Sequence, residues 1–372
     1  MRDNLQVNEA RLPSRLAATF LAAERQIALL SRCRPLNWDS EWVRLASAWY
    51  AGQELAPRME YAEPVCLAPL REWFEQLDAV LEQFAWGSLY RARLGELELE
   101  ARMAEAIGTS DMVALSSRRY RDGFEQARAL ELARSWVRDE TPLSGDDYVG
   151  SDDVANPSSL VCRMQTWVGQ TRIPFRVLLS AELVSLAATG EDFIVVAKQR
   201  QVHRQDVERI VIHEVFGHAL PRVLARHESE ALFTIGAAGG GDVQEGYAVH
   251  CEQSYGVLHS TRRAELGYRH LAATSIWQGA DFVDTMRLLR AQGADVDRAL
   301  RICLRAQRGG GLGREGVYLP AFCAVNSALG RDPDVGAWLS AGRLSLSAID
   351  VLRRGGYQLT VRPERASWPS PG

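Results

Sequence analysis

Apolar residues recur at helical spacing through the first part of the chain. Leu16, Phe20, Leu21, Ile27 and Leu30 mark one stripe, and Leu67, Leu70, Trp73, Phe74, Leu77, Val80 and Leu81 mark another. Such stripes predict helices that bury one face. Pro64 and Pro69 fall near the start of the second stripe, where a missing N–H costs little. Further helices are predicted over residues 88–107, rich in Arg, Glu, Leu and Ala, and from about Phe124 to Val137. No pattern repeats at a fixed period, which argues against a solenoid. Residues 1–145 are therefore predicted to form a helical N-terminal region, followed by a second domain over residues 146–372.

The texture changes at DETPLSGDDYVGSDDVANPSS, residues 139–159, which is acidic and rich in turn formers. Asp146, Asp147, Asp152 and Asp153 lack the glutamate-terminated pattern of a calcium loop, so a solvated loop is expected. Three short runs then read as strands: SLVCRMQTWV (159–168), FRVLLS (175–180) and DFIVVAK (192–198), with a TGED turn before the last. A helix is predicted from about Arg204, with Val207, Ile210, Val211, Val215 and Phe216 on one face. The glycine-rich AAGGGD (237–242) leads into another helix from about Val243. The remainder reads as helical, interrupted by RGGGLGREG (308–316). Helices, then a few strands, then helices make an α+β pattern and not alternating βαβ units.

Composition narrows the function. A net charge of -4 and the lack of a long basic block argue against nucleic acid as a partner. No run of 18 apolar residues predicts a membrane span. Charged residues through the first 30 positions argue against a secretory signal. The six cysteines are spread out with no C-x-x-C pair, as expected of reduced thiols in a cytoplasmic protein. The triple glycines lack a phosphate-loop pattern, and no G-x-S-x-G elbow occurs.

Chemistry concentrates in VIHEVFGHAL, residues 211–220. Zinc sites built on a helix favour two histidines four apart, which lie about 40° from each other around the axis. His213 and His218 are five apart, which in a straight α-helix separates them by about 140°. A π-bulge would absorb the extra residue. So would a helix that ends between them, since Gly217 relaxes the backbone and Pro221 cannot bond the carbonyl of Gly217. A third ligand is available in DVQEGYAVHCE (242–252): Glu245, with His250 and Glu252 as competitors. Asp242 is a natural N-cap, which would put Glu245 in the first turn. Glu214, beside a ligand histidine, suits a general base acting on water activated by Zn2+. A core helix with two internally satisfied histidines remains the alternative.

HEVFGH paired with QEGYA resembles the tyrosine carboxypeptidase-like zinc metallopeptidases. This family includes the microtubule-associated tyrosine carboxypeptidase and the flavohemoglobin expression-modulating QEGLA-motif proteins. Residues 89–120, GADF (279–282), RGG (308–310), REGVYL (314–319) and AGRLSL (341–346) resemble further family elements in the same order. Coverage runs over roughly residues 89–350. The resemblance implies a zincin-like catalytic domain, mainly helical with a small mixed sheet. It implies His213, His218 and Glu245 as zinc ligands, Glu214 as general base, and release of a C-terminal residue from a peptide or protein. Arg308, Arg314 and Arg343 become candidates for the substrate carboxylate, and Tyr318 for the developing oxyanion. DFIVVAK becomes a candidate edge strand for an extended substrate. Tyr247 stands where the family has leucine, and Arg314, Glu315 and Arg343 replace lysine, aspartate and lysine. These departures bear on substrate identity more than on the metal. Two other functions fit the same fold: amide hydrolysis on a small peptide-like metabolite or natural-product precursor, and a non-catalytic binding or regulatory role.

Overall fold

The computed structural model describes residues 12–121, 125–141, 145 and 147–361. Seven helices come first: α1 (Leu12–Ile27), α2 (Leu29–Arg32), α3 (Trp38–Tyr50), α4 (Ala68–Leu81), α5 (Gly87–Glu105), α6 (Asp111–Tyr120) and α7 (Gln126–Arg138). The start expected for α7 at Phe124, like Asp146 in the acidic loop, lies outside the described residues. The central part runs β1 (Tyr148–Gly150), α8 (Leu160–Thr171), β2 (Arg176–Ser180), β3 (Ala187–Thr189), β4 (Phe193–Ala197), β5 (Gln201–His203) and α9 (Arg204–Ile212). A π-helical turn (His213–Ala219), α10 (Leu220–Ala225), α11 (Ala231–Ile235) and α12 (Gly240–Ser254) follow. The last part is α13 (Ser260–Trp277), α14 (Phe282–Ala291), α15 (Val296–Gly311), a 3-10 turn (Arg314–Val317), α16 (Tyr318–Arg331), α17 (Val335–Ser340) and α18 (Leu346–Arg354). The fold is α+β and mainly helical. Among the described residues, no helix is long and apolar enough to cross a membrane.

Two compact units divide the chain. The second is built from Ala18–Thr141 and Ser260–Cys323. Its centre is α13, which packs on α7, α14 and α15 through buried Leu266, Tyr268, Leu271 and Ile276. The RGGGLGREG run breaks α15, because Arg308 leaves helical geometry (φ -51, ψ 148) and Gly309 and Gly310 take positive φ.

The first unit holds the segment that ends at His259 and the one that begins at Ala324. Its three-stranded sheet has the order β2-β4-β3, parallel between β2 and β4 and antiparallel between β3 and β4. The expected small mixed sheet is therefore present, but DFIVVAK is its central strand and not an edge. Alternating burial explains this position: Ile194 and Val196 are fully buried, and both sides of β4 are hydrogen-bonded. β1 and β5 form a separate antiparallel pair.

SLVCRMQTWV is helical, contrary to the strand expected from its apolar content. Ser159 adopts extended geometry and its side chain accepts from the Cys162 N–H, which caps α8. Leu160, Val161, Met164, Trp167 and Val168 then fall on one buried face. On that face Trp167 packs edge-on against Phe216 at 5.4 Å, and its indole N–H donates to Glu208 of α9 at 3.0 Å. α8 thus braces the helix that carries the histidines.

Candidate metal centre

His203 caps α9, with Nδ1 accepting from the Gln205 N–H. Val207, Ile210, Val211 and Ile212 bury its apolar face. From His213 to Ala219 the chain continues as a π-helix without breaking, and α10 resumes at Leu220. In this geometry residue i+5 lies one turn above residue i, so His218 stands over His213. The widened turn is where the sequence gives up ordinary helical constraints. A Cβ on Gly217 would sit 2.3 Å from Ala248 Cβ and 2.8 Å from its Cα, so only glycine lets α12 approach this closely. Pro221 lies in the first turn of α10 and provides no N–H to tighten the turn back to α spacing.

Glu245 reaches the histidines from α12. That helix begins earlier than expected. Gly239 (φ 69) precedes Gly240 as the first helical residue, which puts Asp242 inside the first turn and Glu245 beyond it. Glycine is required at Gly240 because the Arg343 carbonyl would lie 2.0 Å from a Cβ there.

The three side chains converge. His213 Nε2 lies 3.3 Å from His218 Nε2 and 3.5 Å from Glu245 Oε2, and His218 Nε2 lies 3.7 Å from the same oxygen. A point equidistant from three atoms so spaced is about 2.0 Å from each, the distance at which a zinc-like cation takes imidazole nitrogen and carboxylate oxygen. Among the described residues, no other cluster of His, Cys, Asp or Glu could hold an ion in this way. The donor chemistry agrees. His213 Nδ1 is 2.7 Å from Glu252 Oε1 and donates to it, so in the neutral ring Nε2 carries the lone pair. That lone pair points into the space shared with His218 and Glu245.

Electrostatics favour a cation as well. Burial disfavours charge on His213, yet its hydrogen bonds to Glu245 and Glu252 outweigh burial and push its pKa up to about 9. At His218 burial prevails and lowers the pKa. Behind His213 the fully buried Glu252 faces Arg209, whose guanidinium is 3.9 Å away. Arg209 in turn bonds Asp206 at 2.6 Å, and His259 lies 3.3 Å from the same Asp206 oxygen. Burial opposes ionisation of Asp206, but Arg209 and His259 hold its carboxyl well below the usual range. A line of paired charges therefore backs the histidine.

Glu214 is buried beside the triad. Its Oε2 accepts from Thr189 Oγ1 of β3 at 2.7 Å. His250 does not join the triad: its Nδ1 bonds Asn326 at 2.7 Å and its Nε2 faces Ser254 at 3.1 Å. Glu252, weighed as a ligand, supports His213 instead. Its position seven residues after Glu245, two turns along the same helix face, was the signal for a role near the triad. Thr189 has no comparable signal. Arg343 belongs to the first unit, where it donates to the carbonyls of Thr234 and Ile235 at 3.5 and 3.0 Å. Arg308, Arg314 and Tyr318 belong to the second unit. There Arg308 faces Glu315 at 3.5 Å, and the Tyr318 ring is buried with the Arg269 guanidinium 6.0 Å from its centroid.

A sequence-family model described as microtubule-associated tyrosine carboxypeptidase matches residues 50–363. That range takes in the π turn and α12. No curated protein matches the chain.

Proposed function

The chain belongs to the microtubule-associated tyrosine carboxypeptidase family, and from that premise we propose that it is a zinc-dependent carboxypeptidase. It would remove a C-terminal residue, an aromatic one, from a peptide or protein. The observation that carries this reading is the convergence of His213, His218 and Glu245 on one point, with Glu214 adjacent to a ligand. Two imidazoles and one carboxylate are one of the ligand sets of catalytic zinc, which leaves a fourth position open. When bound, zinc supplies Lewis acidity toward a carbonyl and makes water nucleophilic near neutral pH.

The chain's own residues do the rest. His213, His218 and Glu245 would hold the ion. Glu252 keeps His213 in the tautomer that presents Nε2. Glu214 takes the proton of the attacking water and passes it to the leaving amine. This proposal rests on residues of the first unit alone. Substrate-binding roles for Arg308 and Arg314 are tested by substituting each, with higher KM and retained zinc as the expected result, and an oxyanion role for Tyr318 by Tyr318→Phe, with lower kcat and retained zinc. Arg343 is expected to give a folding defect instead, because its guanidinium bonds backbone carbonyls.

The decisive experiment is a C-terminal peptide library incubated with the protein and read by mass spectrometry, with Glu214→Gln as control. Loss of single C-terminal residues, only with Glu214 intact, is expected. Stoichiometric zinc without cleavage of any peptide would turn the reading toward a metabolite amide or a binding role.

A further inference from the structure

Thr189, on the sheet, hydrogen-bonds the acid next to the triad, and nothing in the motif spacing points to it. It closes β3 at the turn into β4, paired with Ile194. The turn is tightly defined. Gly190 N–H donates to Phe193 O at 2.8 Å, and the Phe193 ring lies 2.5 Å from where a Cβ on Gly190 would be. Thr189 is thus fixed by the sheet and not by the helix it serves. Its hydroxyl lies 2.7 Å from Glu214 Oε2 and 3.3 Å from the Glu214 carbonyl. A hydroxyl has one hydrogen to give, and the shorter contact to a charged acceptor is the stronger one.

We propose that Thr189 is a positioning residue for Glu214: it pins Oε2 and so assigns the proton-carrying role to Oε1. This inference rests on the reading of Glu214 as general base. A glutamate side chain in a widened helical turn has three rotatable bonds, and proton transfer needs one oxygen within hydrogen-bond reach of the water. The hydrogen bond to Oε2 removes that freedom and occupies the oxygen that accepts it. The other oxygen becomes the base. Placing the restraint on β3 couples the carboxylate to the sheet edge, so the rotamer does not depend on fluctuation within the π turn.

The test uses Thr189→Val, which keeps shape and strand propensity but lacks the donor, and Thr189→Ser, which restores the donor. The first readout needs no turnover. The carboxyl resonance of Glu214 is assigned in 13C-labelled protein by its loss in Glu214→Gln. It is expected to shift in Thr189→Val and to return toward its original position in Thr189→Ser. The second readout is peptide hydrolysis by zinc-loaded protein. Thr189→Val is expected to lower kcat by about 10- to 100-fold, the loss of one charge-assisted hydrogen bond, with KM and zinc content nearly unchanged. Thr189→Ser recovers most of kcat, and Thr189→Val adds nothing in the Glu214→Gln background. An unmoved resonance, or an active protein whose kcat ignores Thr189→Val, overturns the inference while the peptidase reading stands. A shifted resonance in a protein that cleaves no peptide supports the contact and defeats the peptidase reading instead.

Discussion

Substituting Glu252 probes the electrostatics behind the metal centre without touching a ligand. Its carboxylate is fully buried and accepts from His213 Nδ1 at 2.7 Å. Removing it frees the ring to rotate and weakens Nε2 as a donor. A charge-assisted hydrogen bond in such a place is worth about 1.5–3 kcal/mol, or roughly 10- to 100-fold in metal affinity. Glu252→Gln keeps an acceptor oxygen and loses the charge, so it should fall at the low end. Glu252→Ala removes the acceptor altogether and leaves a void beside the Arg209 guanidinium, which is 3.9 Å from the carboxylate, and should fall at the high end. Zinc Kd is measured by competition with a chromophoric chelator at fixed pH and salt, and circular dichroism checks that each variant is folded. A Kd within twofold of the unsubstituted protein for both folded variants would refute the reasoning.

Burial opposes ionisation of Glu315 and Glu265, but Arg305 and Arg269 at the first, and Arg269 and Arg301 at the second, outweigh it and bring each pKa down to about 2. Because the folded pKa is depressed, the stabilisation is present above the unfolded value and fades as pH falls from about 4.5 toward 2; it is on the order of 3 kcal/mol per carboxylate. Denaturant unfolding should show stability dropping between pH 5 and about pH 3, with a shallower drop in Glu315→Gln; stability flat over that range would contradict the pairing. Gly217→Ala forces a Cβ to within 2.3 Å of Ala248 Cβ and should cost about 1–3 kcal/mol, seen as a lower Tm together with weakened zinc binding; an unchanged Tm would show that α12 does not press on the π turn.

Much of the centre was legible because its chemistry is local. The five-residue spacing of His213 and His218 calls for either a widened turn or a helix end between them, near Gly217 and Pro221. The structure has a π-helix over His213–Ala219 and no break. Glu245 was legible as the acid of a neighbouring helix, but the start of that helix was misplaced. Asp242 looked like a cap, whereas tertiary packing of the Arg343 carbonyl on Gly240 let the helix begin among glycines. Residues 159–168 carry the β-branched content of a strand, but the helical period of Leu160, Met164 and Trp167 prevails. Thr189 was not legible at all. It meets Glu214 across 25 positions of chain, through a strand pairing that no local pattern encodes.

The central claim is that His213, His218 and Glu245 hold one zinc ion. Metal content of the purified protein by mass spectrometry, set beside His213→Ala, His218→Ala and Glu245→Ala, tests it most directly. One zinc per chain, lost or sharply reduced in each variant while the fold persists, is the predicted result. No bound metal, or zinc that survives all three substitutions, would contradict it.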